Sequence, residues 1–176
     1  GDANFNTSSG TAAHVINDPP TDIQLAPALI AENAPSGTTV GSLTTTDPDP
    51  VDSFTYSLVS GSGSTDNSSF TITGNTLSSG KVFNYEIKNS YSIRVRSTDH
   101  FGLYFEKALT IDISDENDAP AAVDDGYDAV LNTPMSIGID DGLLANDTDE
   151  DGDSLSAERL TDVANGLLVF FPDGSF

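Results

Sequence analysis

Short runs of alternating apolar and polar residues recur through residues 21–119, and turn-forming residues separate them at intervals of about ten residues. The run of Tyr91, Ile93 and Val95 is the clearest example. An alternation with a period of two places apolar side chains on one face of a β-strand. No window shows a convincing helical period of 3.6 residues. We therefore predict about seven short strands in this region and an all-β fold, a Greek-key β-sandwich.

The charge of the chain excludes several function classes. The chain contains 28 acidic and 6 basic residues, for a formal net charge of -22. Nucleic-acid binding and attraction to anionic lipid both need the opposite sign, and no apolar run approaches the ~18 residues of a membrane span. We expect neither a nucleic-acid partner nor direct membrane insertion. A solvated acidic surface is the alternative explanation of the charge, although many acids are clustered.

The densest acidic segment is Ser114–Pro120. It carries the carboxylates of Asp115, Glu116 and Asp118 and the amide of Asn117. Its proline favours extended backbone and cannot join a sheet ladder, so we predict a stiff connector. Because Lys and Arg are scarce, a metal ion is the expected counter-charge, and oxygen ligands at this density favour Ca²⁺.

A similar element, Asn17–Pro20, precedes the strand-rich region. Asn17 and Asn117 lie 100 residues apart, which is about the length of one β-sandwich domain. This spacing indicates β modules in tandem, with calcium at their junctions. We predict a linker or the tail of a preceding module in residues 1–20, one module in residues 21–119, and an incomplete second module in residues 120–176.

Within the first module, acids fall at the ends of predicted strands, where loops can bring carboxylates together at the two poles of a sandwich. This set comprises Glu32, Asp47, Asp49, Asp52, Glu86 and Asp99. Among the acids of this module, Asp52 and Asp66 are interpreted as ordinary exposed side chains.

The segment Asn17–Pro120 resembles a cadherin-type repeat, in the divergent form found in large bacterial surface and secreted proteins. Five motifs in order carry the resemblance: Ala31–Pro35, Asp47–Asp49, Asn84–Glu86, Thr98–Gly102 and Asp115–Pro120. In that family, such residues bind several Ca²⁺ ions between successive domains.

The resemblance implies two groups of calcium ligands. The lower pole would use Glu32, Glu86, Asp115, Asp118 and the Glu116 carbonyl, with Asn117 reaching toward the following module. The upper pole would use Asp47, Asp49 and Asp99 together with Asn17. Departures from the family pattern are Asn84 in place of Asp, Pro19 in place of Asn, and the insertion Pro50–Asp52.

Residues 120–176 resemble the cadherin-like tandem repeat of bacterial adhesins, through LANDTDEDGDSL (residues 144–155) and PDGSF (residues 172–176). The acids of the first segment fit the spacing of an EF-hand calcium loop, with Gly152 at the sharp turn. The candidate ligands are Asp147, Asp149, Asp151, Asp153 and Glu158. No amphipathic helix flanks them, so we predict a calcium loop without the helix–loop–helix. A disordered acidic loop is the alternative.

The composition gives little support for an enzyme. There are two His and no Cys in the chain, which leaves few groups for nucleophilic or zinc chemistry. Paired carboxylates could serve glycoside hydrolysis, but no aromatic-lined cleft is evident around them.

Together these patterns predict a calcium-binding structural or adhesive module of a bacterial cell-surface or secreted protein. Its expected place is extracellular, and its partners are neighbouring modules of the same or an identical chain. One alternative is a carbohydrate-binding module, in which Tyr85, Phe101 and Tyr104 would meet a glycan beside calcium. Another is a fibre subunit joined by strand exchange, because the second module is incomplete. A cell-surface protein is a further candidate partner.

Overall fold

The structure is a computed structural model that describes residues 17–49 and 52–176. It divides into two compact units, one ending at Ser114 and the other beginning at Asp115. The predicted linker lies outside the described residues as far as position 16. Within the described ranges, no helix is long and apolar enough to cross a membrane.

The described residues of the first unit form eight strands in two four-stranded sheets. The strands are β1 (Asp22–Ala26), β2 (Leu29–Ala31), β3 (Thr39–Thr46), β4 (Thr55–Leu58), β5 (Phe70–Thr73), β6 (Thr76–Ser79), β7 (Ser90–Thr98) and β8 (Tyr104–Ser114). The strand orders are β1-β3-β6-β5 and β2-β8-β7-β4. This arrangement confirms the predicted all-β sandwich, with one strand more than the seven or so expected.

The N-terminal edge of the sandwich is shared between the two sheets. β1 pairs antiparallel with β3, whereas β2 pairs parallel with β8. Pro27 lies between them and lacks the N–H that a continuous strand would need. Gly41 of β3 faces this crossing, where a Cβ would collide with the Pro27 carbonyl oxygen, so the close approach requires glycine.

The core lies between the sheets and follows the alternation of the sequence. In β7, Tyr91, Ile93 and Val95 are buried, whereas Arg94 and Arg96 lie on the opposite face of the strand. Phe83, which belongs to no strand, is 2% exposed and packs against Phe70 and Tyr91 at centroid distances of 5.3 and 4.6 Å. The other buried apolar side chains are Ile23, Ile30, Val40, Leu43, Leu77, Ile111 and Ile113.

Strand register brings three acidic loops to one end of the sandwich. Thr46, the last residue of β3, pairs with Asp22 of β1. At the same end, the first residue of β4, Thr55, pairs with the last residue of β7, Thr98. Acids that follow β3, precede β4 or follow β7 can therefore meet. This end is the upper pole of the sequence analysis.

Residues 115–176 form the second unit, whose backbone pairing is sparse. Its described elements are a 3₁₀ turn, Ile139–Asp141, and an isolated bridge between Ala121 and Thr148. Ile137 and Phe176 also exchange two backbone hydrogen bonds, of 2.7 and 3.1 Å. The apolar run at residues 167–171 forms no strand.

Candidate metal centre

Three carboxylates converge at the upper pole. One oxygen from each of Asp47, Asp52 and Asp99 lies within 4.8 Å of the other two. We call these residues the carboxylate cluster. They come from the loop after β3, the approach to β4 and the turn after β7, so the cluster is a product of the sandwich topology.

The tight turn between β7 and β8 fixes Asp99. Its Oδ1 accepts hydrogen bonds from the backbone N–H groups of Phe101 and Leu103, at 2.9 and 2.8 Å. Its Oδ2 accepts one from the Asn17 amide, at 2.8 Å. Burial acts to raise the pKa of Asp99, but the bonds from Asn17 and from these N–H groups bring the pKa below its ordinary value. Asp99 is therefore held as a carboxylate although the residue is 5% exposed.

Asp47 and Asp52 each keep one oxygen unused. Oδ1 of Asp47 accepts the Asp49 N–H at 2.8 Å, and Oδ1 of Asp52 accepts the Ser53 N–H at 2.8 Å and contacts Nδ1 of His100. The two Oδ2 atoms are buried and have no hydrogen-bond partner among the described residues. Buried anionic oxygens of this kind are costly unless a cation or a donor meets them.

The lysine and arginine side chains are engaged elsewhere. Within the described residues, five ion pairs join Lys or Arg to acids outside the cluster: Lys88–Asp66, Lys107–Asp22, Arg159–Asp162, Arg94–Glu106 and Arg96–Glu106. The remaining base, Lys81, lies over the rings of Phe83 and Tyr91. The two unused carboxylate oxygens and the donor set of the cluster fit a hard, oxygen-preferring cation.

The structure changes the expected membership of the upper pole. Asp49 lies beside the cluster, where its Oδ2 accepts the Asp18 N–H at 2.8 Å. Asp52 was interpreted as an ordinary exposed acid, and this is wrong, because its side chain is 1% exposed. The sequence signal that could have indicated a buried Asp52 was its spacing from Asp47 and Asp49, because a loop that turns back toward β4 can bring the third acid inward. Asp66 is also no ordinary exposed acid, since it pairs with Lys88 and its side chain is 13% exposed.

Comparison with known proteins matches residues 26–114 to the family model of the cadherin domain. The chain belongs to the cadherin family. Directly after the cadherin domain, residues 117–176 match the family model of a bacterial Ig domain. The predicted order, a cadherin-like repeat followed by a second adhesin-type repeat, is confirmed.

Several solved cadherin structures are similar to the chain. The extracellular domain of protocadherin GammaB4 is 22% identical, with a TM-score of 0.45, over 57% of this chain and 18% of that one. Human protocadherin-24 EC1-2 is 16% identical, with a TM-score of 0.44, over 56% and 46%. Chicken VE-cadherin EC1-2 is 24% identical, with a TM-score of 0.41, over 49% and 45%. The chain thus spans less than half of each structure. Among curated proteins, no match was found.

At the lower pole of the cadherin domain, Glu32 and Glu86 are brought together. Their carboxylates approach within 4.8 Å. Glu32 is 2% exposed, and its Oε2 accepts the Tyr85 N–H at 2.6 Å. Glu86 is exposed. These two residues are the ligands that the family resemblance takes from the first module for the lower pole, and their ligand roles stay predictions.

The connector residues belong to the second unit. Asp115 and Asp151 have carboxylate oxygens within 4.8 Å of each other, and the Asp118 N–H donates to Asp151 Oδ2 at 2.6 Å. Asn117 donates to the Asp118 carbonyl at 2.9 Å, and Glu116 is exposed. The ligand roles of these residues stay predictions.

The acidic loop of the Ig-like domain is held largely by its own backbone. Asp149 Oδ1 accepts the N–H groups of Asp151 and Asp153, both at 3.1 Å. Asp147 Oδ1 accepts the Val123 N–H at 2.7 Å. Glu158 is exposed, and the three-acid groups found among the described residues include neither it nor Asp147, Asp149 or Asp153. The predicted calcium loop remains untested.

The three aromatic residues of the glycan alternative differ in their surroundings. Phe101 is 66% exposed and follows the cluster directly in sequence. Tyr104 is 54% exposed, with Arg96 4.1 Å from its ring centroid. Tyr85 packs instead against the core of the cadherin domain.

Proposed function

We propose that this chain is a calcium-binding structural and adhesive segment of a bacterial cell-surface or secreted protein. The observation that supports it best is the pair of buried, unpartnered carboxylate oxygens on Asp47 and Asp52, next to the carboxylate of Asp99. Ca²⁺ takes 6–8 oxygen ligands at flexible geometry. Asp47, Asp52 and Asp99 would hold the ion, with Asn17 and Asp49 close enough in the fold to contribute and water completing the shell.

Calcium would act here as a folding ligand and as a stiffener. An ion that binds only the folded state stabilises it by mass action. It would also neutralise carboxylates in a chain with a net charge of -22. Further ions at Glu32 and Glu86, and at the connector acids Asp115 and Asp118, would hold consecutive domains in a fixed geometry. The partners would be neighbouring domains of the same or an identical chain, in an extracellular, non-enzymatic role.

The test is thermal unfolding with and without CaCl₂. Extracellular sites bind Ca²⁺ at ~10⁻⁴–10⁻³ M, so 10 mM Ca²⁺ should stabilise the folded state by roughly 1.4–2.7 kcal/mol per site. For a domain of this size that is a rise in melting temperature of roughly 5–15 °C. Asp47→Asn keeps the acceptor for the Asp49 N–H but loses a charge, and it should reduce the rise. Asp112→Asn, near the far end of β8, removes one charge away from the cluster and should leave the rise unchanged.

Sodium chloride at matched ionic strength separates binding from charge screening. If it produces the same rise as CaCl₂, or if 10 mM CaCl₂ produces none, calcium binding is rejected. The acids would then be a solvated, salt-adapted surface.

A second candidate function is a fibre subunit joined by strand exchange. It is favoured by the exposed apolar side chains of the Ig-like domain, among which Leu131, Leu160 and Leu167 are 88%, 89% and 92% exposed. Apolar side chains gain free energy when another chain removes them from water. Light scattering decides: assemblies whose size grows with protein concentration support the fibre, and a constant monomer mass rejects it.

A further inference from the structure

We infer that Asp52 is a direct ligand of the ion proposed for the carboxylate cluster, and that His100 is a positioning residue that orients it. This inference rests on the proposed function. The motifs that carry the family resemblance assign the upper pole to Asp47, Asp49, Asp99 and Asn17, and they give no ligand role to Asp52 or His100. The case for both residues therefore rests on their contacts in this structure.

The contacts of Asp52 are divided between its two oxygens. Oδ1 takes the Ser53 N–H at 2.8 Å and the His100 imidazole. Oδ2 takes neither, although it is buried and the side chain as a whole is 1% exposed. An acid that served only as an ion-pair partner of His100 would have no reason to bury its second oxygen without a donor. The unused oxygen instead lies with Asp47 and Asp99, where a cation would meet all three.

His100 is fixed from two sides. Its Nδ1 contacts Asp52, and its ring lies 3.7 Å from the Phe101 ring centroid, at an interplanar angle of 44°. Phe101 in turn donates its N–H to Asp99. His100 thus connects two members of the cluster without contributing an oxygen, and its side chain remains 44% exposed. Groups that hydrogen-bond a metal ligand in this way orient it and tune its affinity.

Geometry also explains why His100, rather than another donor, suits this position. The backbone turn after β7 places residue 100 between Asp99 and Phe101, whose N–H donates to Asp99. From there, Nδ1 of the imidazole, which is bonded directly to Cγ, reaches Oδ1 of Asp52 and leaves Oδ2 free. A longer side chain would place its donor farther out, and an apolar one would release the carboxylate to rotate.

The experiment is a CaCl₂ titration of the isotopically labelled full chain, followed by amide chemical shifts. Four amides report locally because they donate to the cluster: Asp49 to Asp47, Ser53 to Asp52, and Phe101 and Leu103 to Asp99. In the wild-type chain, these four should shift together with one midpoint. If they do not shift in the wild-type chain, the proposed function fails at this pole and the inference fails with it.

Asp52→Asn keeps the acceptor for Ser53 but removes the charge. We expect the midpoint of the Asp49, Phe101 and Leu103 shifts to move to at least tenfold higher CaCl₂, with Asp112→Asn unchanged. If wild-type and Asp52→Asn share one midpoint, calcium binding stands and Asp52 is not a ligand. If the amide chemical shifts of β1 and β6 in the absence of calcium are the same as in the wild-type chain, the variant is folded.

The role of His100 is tested by two substitutions. Asn places a side-chain N–H close to the position of Nδ1, whereas Leu fills similar space with no donor. His100→Leu should weaken binding about 10–100-fold, and His100→Asn should restore most of it. An equal loss of calcium affinity in both variants, or no loss in either, overturns the positioning role. If His100 acted by packing alone, the Asn side chain would not restore affinity better than the Leu side chain.

Discussion

The carboxylate of Glu32 accepts a hydrogen bond from the backbone N–H of Tyr85 at 2.6 Å, although 53 residues separate them. Glu32 follows β2 directly, and its own N–H donates to the Ser114 carbonyl at the end of β8. One buried acid therefore ties the loop before β7 to the two strands at the lower pole. Its neighbour Glu86 brings a second negative charge within 4.8 Å, so the position combines a structural role with electrostatic repulsion.

This combination predicts opposite effects for two substitutions of Glu32. Glu32→Gln keeps an oxygen for the Tyr85 N–H and removes the repulsion with Glu86, so the calcium-free chain should melt at or above the wild-type temperature. Its gain on addition of calcium should be smaller than that of the wild type. Glu32→Ala leaves the N–H without its acceptor and should cost about 1–3 kcal/mol. Calorimetry with and without CaCl₂ measures both, and equal destabilisation by Gln and Ala would contradict the argument.

A second prediction concerns the part of β7 that extends past its pairing with β4, which ends at Val95. Asn67 covers it, because its Oδ1 accepts the Arg94 N–H at 2.9 Å and its Nδ2 donates to the Val59 carbonyl at 2.9 Å. Asn67→Leu leaves both backbone groups unpaired and should destabilise the first unit by about 2–4 kcal/mol. Asn67→Asp keeps the acceptor alone and should lose less. Denaturant unfolding gives the order, and Ser68→Ala, at an exposed neighbouring position, is the control.

Hydrogen exchange provides the local readout for this edge. The Arg94 amide should exchange faster in Asn67→Leu than in Asn67→Asp, whereas amides of β3 should be unaffected. Equal protection of Arg94 in all variants would show that Asn67 does not cover the edge. An uncovered edge is also a pairing site for other chains, so Asn67→Leu should aggregate more readily.

The alternation of the sequence was sufficient to predict the strands, because burial on one face is a local property of a β-strand. Tyr91, Ile93 and Val95 are buried as expected. Phe83 could not be predicted in the same way, since it lies in a stretch without periodicity. It becomes a core residue through its contacts with Phe70 of β5 and Tyr91 of β7.

The candidate site shows the same limit. Motif order was enough to nominate Asp47, Asp99 and Asn17, whose side chains do approach one another at the upper pole. It could not rank Asp49 against Asp52, because their orientation depends on where the loop after β3 meets the turn after β7. That meeting is a long-range consequence of sheet packing, and His100 enters the site only through it.

Glu106 gives a prediction for pH dependence. Hydrogen bonds from Arg96 and then Arg94 hold the pKa of Glu106 below its ordinary value of 4.5, against the opposing effect of burial. Since the pKa is lower in the folded state, the stabilisation is fully present above the unfolded pKa. It is lost as the pH falls through the folded pKa. The difference in stability between wild type and Glu106→Gln should thus be constant near neutral pH and shrink below about pH 4.5.

The matched test of this mechanism uses Arg96. In an Arg96→Gln background, the contribution of Glu106 at neutral pH should be smaller, because Arg96 is the largest cause of the lowered pKa. Urea unfolding of the four chains from pH 7 to pH 3 provides the data. A difference between wild type and Glu106→Gln that grows on acidification would contradict the sign.

The aromatic contacts of Phe83 give the last prediction. Its ring is stacked on Phe70 at 5.3 Å and tilted against Tyr91 at 4.6 Å, and the residue is 2% exposed. Phe83→Ala should therefore destabilise the first unit by about 3–5 kcal/mol, through lost apolar burial and the cavity left between the sheets. Val82→Ala, at a neighbouring residue that is 54% exposed, should change stability by no more than about 0.5 kcal/mol. Denaturant unfolding of both variants measures the contrast, and similar small effects would mean that residues 80–84 are a surface loop and not part of the core.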